Sequence, residues 1–215
     1  MSADSESSRE KWERRYREGA YADRSHPSAL LVEWLDIVPD GPALDVACGA
    51  GRNALYLASL GRAVDGVDIS PTALARAARA AAERHLNARF IEADLEQDPD
   101  RALPEGPYAL ILVVRYVHRG ILPALLRRLV PGGVLIVEEH LDWPEPVVGP
   151  SNPAFRMRPN ELLRLALDAG GTGVEVRYYR EGLVTDPDGR PAALAQLVLA
   201  KSDISRCPRP ERSAA

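Results

Sequence analysis

The chain has 215 residues, 46% hydrophobic and 27% charged, the composition of an ordinary globular domain; collagenous, disulfide-stapled and disordered classes are excluded. With 27 Lys and Arg against 31 Asp and Glu the net charge is −4, so the cationic footprint that nucleic-acid binding requires is not evident. The longest apolar run, residues 109–114, is far short of the ~20 residues that cross a bilayer.

The opening MSADSESSREKWERR is charged and lacks the apolar core of a secretory signal, so the expected location is the cytoplasm. Residues 1–8 and 202–215 carry no periodic apolar face and are expected to be disordered. Between them a single domain is expected over 9–201: a helical lid at 9–38 built of amphipathic segments 9–18 and 27–38, then an α/β core at 39–201. Cys48 and Cys207 form no Cys/His ligand pattern and read as free thiols, so no metal is expected.

From residue 39 onward short apolar runs alternate with segments of helical period. Strands are predicted at 43–46, 63–67, 88–93, 108–114 and 134–138, the last entered through a turn at Pro131-Gly132-Gly133. The fourth is apolar at nearly every position, which predicts a central strand covered on both faces. Helices are predicted at 53–60, from Ser70-Pro71 to about His85, at 121–129 and at 161–169. Two final strands, 174–179 and 193–200, are joined by a Pro187-Asp188-Gly189 turn. An alternating βα pattern closed by a hairpin gives a doubly wound, mostly parallel sheet with one antiparallel strand.

The strongest chemical signal is Asp45-Val46-Ala47-Cys48-Gly49-Ala50-Gly51-Arg52-Asn53, a glycine turn between the first strand and a helix. Glycines there take positive φ and let a ligand approach the backbone. Gly49-x-Gly51-x-x-Ala54 also satisfies the dinucleotide fingerprint, which alone is weak evidence. Asp45 distinguishes the ligands: a carboxylate at the strand end repels a pyrophosphate on the helix N-terminus and suits a cationic ligand. S-adenosylmethionine, with an ammonium and a sulfonium against one carboxylate, tolerates such a mouth. Asp68, at the tip of the second strand, is placed to accept both hydroxyls of a ribose, and Asp94, at the tip of the third, to accept from an adenine amine. All three lie at carboxyl ends of parallel strands, where open α/β sheets bind ligands.

These motifs, with the Leu129-x-Pro131-Gly132-Gly133 turn, resemble the class I S-adenosylmethionine-dependent methyltransferases over about residues 12–201. Within that class, Gly51-Arg52-Asn53-Ala54-Leu55-Tyr56-Leu57-Ala58, Trp12-x-x-Arg15-Tyr16 and Phe155-x-x-Arg158-Pro159-Asn160-Glu161-Leu162 are similar to the tellurite-resistance and thiopurine-methyltransferase-like branch. The resemblance implies a seven-stranded sheet in the order 3-2-1-4-5-7-6 with the last strand antiparallel. It implies S-adenosylmethionine as cofactor, held by Trp12, Arg15, Asp45, Ala47, Gly49, Gly51, Asn53, Asp68, Ile69, Asp94, Leu95 and Arg115, with Arg15 as a clasp for its carboxylate. Two positions depart from the pattern: Ala47 stands where the class has glycine, and Leu183 and Val184 stand where that branch carries basic character.

The expected activity is methyl transfer to a small-molecule acceptor by in-line displacement. Tyr116 and His118 follow the central strand and Glu139 and His140 follow the fifth, so each pair is placed at the acceptor side. His118 or Glu139 is the candidate base for a hydroxyl or amine acceptor, and Tyr116 a further catalytic candidate. The segment 141–158, with four prolines and no periodicity, is expected to wall the acceptor pocket with Phe155, Arg156 and Arg158. The competing readings are a non-catalytic cofactor- or partner-binding protein of this fold and an NAD(P)-dependent oxidoreductase.

Overall fold

The computed structural model describes residues 7–21, 24–185 and 189–203. The elements run α1 (Ser8–Arg17), α2 (Ala29–Trp34), β1 (Ala43–Val46), α3 (Arg52–Ser59), β2 (Val64–Asp68), α4 (Pro71–Glu83), β3 (Ala88–Glu92), α5 (Pro99–Ala102), β4 (Tyr108–Val114), α6 (Leu122–Arg128), β5 (Leu129–His140), α7 (Glu161–Gly170), β6 (Val174–Thr185) and β7 (Pro191–Lys201). One seven-stranded sheet has the order β3-β2-β1-β4-β5-β7-β6. Its first five strands are parallel, and β7 runs antiparallel to both β5 and β6.

Strand β4 is buried at six of its seven positions, as its uninterrupted apolar run requires. One face of the sheet packs Ile111, Val113, Leu135 and Val137 against Leu122, Leu125 and Leu162 of α6 and α7. The other packs Leu110, Leu112 and Ile136 against Leu30 and Leu31 of α2 and Leu57 of α3. Each layer thus answers one side of the pleat, and the loops at the carboxyl ends of β1 to β5 are left to build a site.

Several sequence expectations need correction. Pro131-Gly132-Gly133 does not precede the fifth strand; it lies within it, because pairing begins at Tyr108↔Leu129 and resumes at Leu110↔Val134 with the intervening residues bulged out. Glu139 and His140 do not follow β5 but end it, paired with Ala195 and Leu194 of β7. The segment 141–158 is not structureless: Leu141 bridges Met157, Val148 bridges Ala192, and residues 153–155 form a short 3-10 turn. The one-turn helix α5, capped by Asp98, was too short to show a period. No helix among the described residues is long and apolar enough to cross a membrane. Residues 1–6, 204–215, Cys207 and the Pro187-Asp188 half of the predicted turn lie outside the described residues.

Candidate active site

A cleft of about 410 Å³ opens at the carboxyl ends of β1, β2, β3 and β4. Asp45, Asp68 and Asp94 all line it, as do Ala47, Gly49, Asn53, Ile69 and Leu95. Asp45 is 1% exposed, and its Oδ2 accepts the backbone N–H of Ala54 at 3.0 Å. It supplies from the strand the cap that Gly51, at the start of α3, has no side chain to give. Burial, against that bond and the charge of Arg52, pushes its carboxyl up to about 7, with the nearby charge of Asp68 adding to the rise. A cation between these two carboxylates would relieve both.

Asp68 fastens the glycine turn: Oδ2 accepts from Gly49 N at 2.8 Å and Oδ1 from Ser70 N at 2.9 Å. Each carboxylate oxygen retains a second lone pair for a ligand hydroxyl. Burial raises the carboxyl of Asp68 against these backbone bonds. Asp94 accepts from Glu96 N at 3.0 Å, next to buried Leu95. Cys48, a buried free thiol, also lines the cleft; burial and the charges of Asp45 and Asp68 push it up, which makes it a packing residue.

Three non-glycine residues have left-handed backbone at the site: Tyr21 with φ +61° beyond α1, Ala47 with φ +53° after β1, and Arg115 with φ +62° after the neighbouring β4. Ala47 therefore adopts the conformation that glycine takes at lower energy, which explains the class preference at that position. Gly51, at φ +80°, does not line the cleft; a Cβ there would lie 2.9 Å from Ala77 Cβ, so its role is to let α3 pack against α4.

The N-terminal helix roofs the cleft. Trp12, Arg15 and Tyr16 face in, and the Arg15 guanidinium lies 5.0 Å from the Trp12 ring and 5.6 Å from that of Tyr21. Glu13 latches the helix down: it accepts from Ser70 Oγ at 2.7 Å, from Thr72 N at 3.2 Å and from the Thr72 hydroxyl. Against the desolvation that would raise it, these bonds and Arg17 hold the Glu13 carboxyl down at about 2. Arg76 donates to the carbonyl of Tyr16 at 2.6 Å. Lys11 sits 5.0 Å over the ring of Phe155, so α1 meets the 141–158 segment across the mouth.

On the β4–β5 side, Arg115, Tyr116, His140 and Phe155 line the cleft. The Tyr116 hydroxyl donates to Glu96 at 3.2 Å, and its ring stacks on His118 with centroids 6.2 Å apart. His118 itself is off the cleft, and its buried Nδ1 has no hydrogen-bond partner. Glu139, 1% exposed, does not line the cleft; burial, with the charge of Glu138, raises its carboxyl well above the ordinary range, against the charge of Arg115 and a hydrogen bond from the Tyr116 backbone.

Arg156 and Arg158 stand in a separate hollow with Arg119 and Glu161. Arg156 donates to the carbonyls of Pro150 at 2.8 Å and Leu141 at 2.9 Å, so it pins the loop. Sequence reasoning missed Glu138, which accepts from Gln196 Nε2 at 3.0 Å and Ser28 Oγ at 3.3 Å and pairs with Arg115 at 3.5 Å. It also missed Arg24, Arg52 and Arg190 on the cleft wall.

Known proteins resemble this chain in sequence and in fold. Residues 43–133 match the family model for a methyltransferase domain. The chain is 32% identical over 166 residues to demethylmenaquinone methyltransferase of one Thermus thermophilus strain, covering 73% of this chain and 71% of that protein. It is 33% identical over 125 residues to ribosomal protein L11 methyltransferase of another Thermus thermophilus strain, a match covering 57% of this chain and 48% of that protein. The chain thus spans about half the length of that relative. Among solved structures, TehB from Haemophilus influenzae superposes with a TM-score of 0.66 at 22% identity, over 89% of this chain and 67% of that one, a likeness of fold. The chain belongs to the class I methyltransferase family, whose cofactor is S-adenosylmethionine.

Proposed function

We propose that this protein transfers a methyl group from S-adenosylmethionine to a small-molecule acceptor. One observation carries the reading: three strand-end carboxylates, a glycine turn and an aromatic roof converge on one cleft of about 410 Å³, closed over by α1 and Phe155. Such an enclosure favours a small acceptor over a folded macromolecule.

In this reading Asp68 takes the ribose hydroxyls, Asp94 and Leu95 the adenine edge, and Asp45 the cationic end of the cofactor. The bound cofactor supplies a methyl carbon already activated by a sulfonium leaving group. What remains for the chain is alignment and exclusion of water, and orientation alone is worth ~7–11 kcal/mol. Trp12 and Tyr16 exclude water from above, while Tyr116 and His140 border the acceptor side. A thiol or metalloid anion needs no proton removed in the transition state. For a hydroxyl or amine, His140, which faces the cleft, is better placed than His118 or Glu139 to take one. The test is a screen with methyl-labelled cofactor over thiols, selenite, tellurite, thiopurines, phenols, carboxylic acids and small amines. Transfer to one of them supports the proposal, and transfer only to ribosomal protein or RNA overturns the small-molecule part.

A further inference from the structure

The cleft wall carries four carboxylates, Asp45, Asp68, Asp94 and Glu96, and six cationic side chains, among which Arg24, Arg52 and Arg115 lie close enough to feel one another's charge. From this geometry we infer that the acceptor is an anion, a carboxylate in the first instance, received by the guanidiniums of Arg24, Arg52 and Arg115. The inference rests on the methyltransferase reading and names the substrate class of the same site.

The three guanidiniums are gathered by separate devices. Arg52 opens α3 directly after Gly51, and its Nη1 donates to the carbonyl of His26 at 3.0 Å, which ties down the segment that carries Arg24. Arg115 is held at φ +62° by its own N–H donating to the Glu138 carbonyl at 2.7 Å. A left-handed conformation at a side chain this large is kept only where surrounding structure enforces it, and such strain collects at functional sites. The groups lie within one another's field: burial lowers the Arg52 pKa, the charges of Arg115 and Arg24 lower it further, and those of Glu138 and Asp45 oppose the fall. Glu138 answers part of this charge, but its oxygens are shared with Ser28 and Gln196.

An amine acceptor would meet like charge here, and an anion its complement. Guanidinium binds carboxylate through two parallel hydrogen bonds, so it would fix orientation as well as charge. The anion is a recognition handle, and the atom that receives the methyl group lies elsewhere on the acceptor or on the anion itself. The same guanidiniums would suit the cofactor's own carboxylate, so the experiment must separate the two.

The full chain is first titrated calorimetrically with S-adenosylhomocysteine, then, saturated with it, with benzoate, succinate and citrate, each beside its amide. At least one carboxylate is expected to bind about ten-fold or more tighter than its amide. Arg52→Gln should abolish most of that preference while shifting S-adenosylhomocysteine affinity less than about two-fold. Arg24→Gln, on a segment outside any helix or strand, gives the same readout should Arg52→Gln fail to fold. Carboxylates that bind no tighter than their amides overturn the inference. So does an arginine variant that loses S-adenosylhomocysteine affinity as much as carboxylate affinity, since the cluster then serves the cofactor. Absence of S-adenosylhomocysteine binding strikes the cofactor reading instead, and the carboxylates titrated alone then judge the inference by the same preference.

Discussion

The hydroxyl of Tyr16 occupies the space that a Cβ on Gly49 would fill, so the roof helix α1 rests directly on the glycine turn. Gly49 is at φ +56°, which alone disfavours a side chain by roughly 1 kcal/mol. Gly49→Ala should therefore lift Tyr16 and weaken S-adenosylhomocysteine binding at least about ten-fold. Adding Tyr16→Phe should restore part of the loss, because the clashing oxygen is gone. Strict additivity in calorimetric titrations of the two single variants and the double would show that the residues act independently.

Asp68→Ala removes charge-assisted bonds worth ~1.5–3 kcal/mol each, so cofactor affinity should fall roughly ten- to a hundred-fold. Because the same carboxylate holds Gly49 N and Ser70 N, a measurable loss of thermal stability should accompany it. Unchanged affinity would reduce Asp68 to a turn residue.

The roof should be separable from the core. Glu13→Ala releases the bonds to Ser70 and Thr72, and deletion of residues 1–20 removes the helix altogether. Both should raise the cofactor dissociation constant while leaving core unfolding nearly unchanged. With its carboxyl held at about 2 against an ordinary 4.5, Glu13 stabilises the latched state above pH 4.5 and loses that contribution as pH falls towards 2. A truncated chain that binds as the full one does would remove the lid.

How much of this was legible before the fold depended on how local the signal was. The strand, glycine turn and helix that bring Asp45, Gly49 and Asn53 together are contiguous, and Asp68 and Asp94 recur at the tips of the next strands, so period and turn chemistry sufficed. The set of buried Ser28, Glu138 and Gln196 with half-buried Arg115 comes from four distant segments and has no sequence period. Glu138-Glu139-His140 reads as the end of a strand because it is polar; only the antiparallel pairing with β7 shows that β5 continues through it. Arg156 carries the charge expected of a ligand-binding residue, but its carbonyl partners Pro150 and Leu141 exist only once the loop has folded back.

That loop pin can be tested by itself. Arg156→Ala strands two carbonyls, at a cost of ~1–3 kcal/mol, and should expose 141–158 to proteolytic nicking while cofactor affinity is unchanged. A nicking rate equal to wild type would return Arg156 to candidacy as an acceptor ligand.

Asp45 gives a pH dependence of its own. An ordinary aspartate titrates at 3.8 and this one at about 7, so between those values the folded chain holds the extra proton and stability through this group falls as pH rises. Binding of a cationic cofactor runs the other way, because it favours the ionised carboxylate. S-adenosylmethionine affinity should rise roughly ten-fold from pH 6 to pH 8 and level off above about 7. In Asp45→Asn the affinity should be lower and the pH profile flat, and a wild-type profile without slope would mean Asp45 does not face the cofactor's charge.

The central claim, that this cleft is built for S-adenosylmethionine and not for a dinucleotide, is tested most directly by isothermal titration of the full chain with S-adenosylmethionine and, separately, with NADH. A saturable heat with S-adenosylmethionine and none with NADH is the predicted result. Binding of NADH with no heat from S-adenosylmethionine would contradict the account.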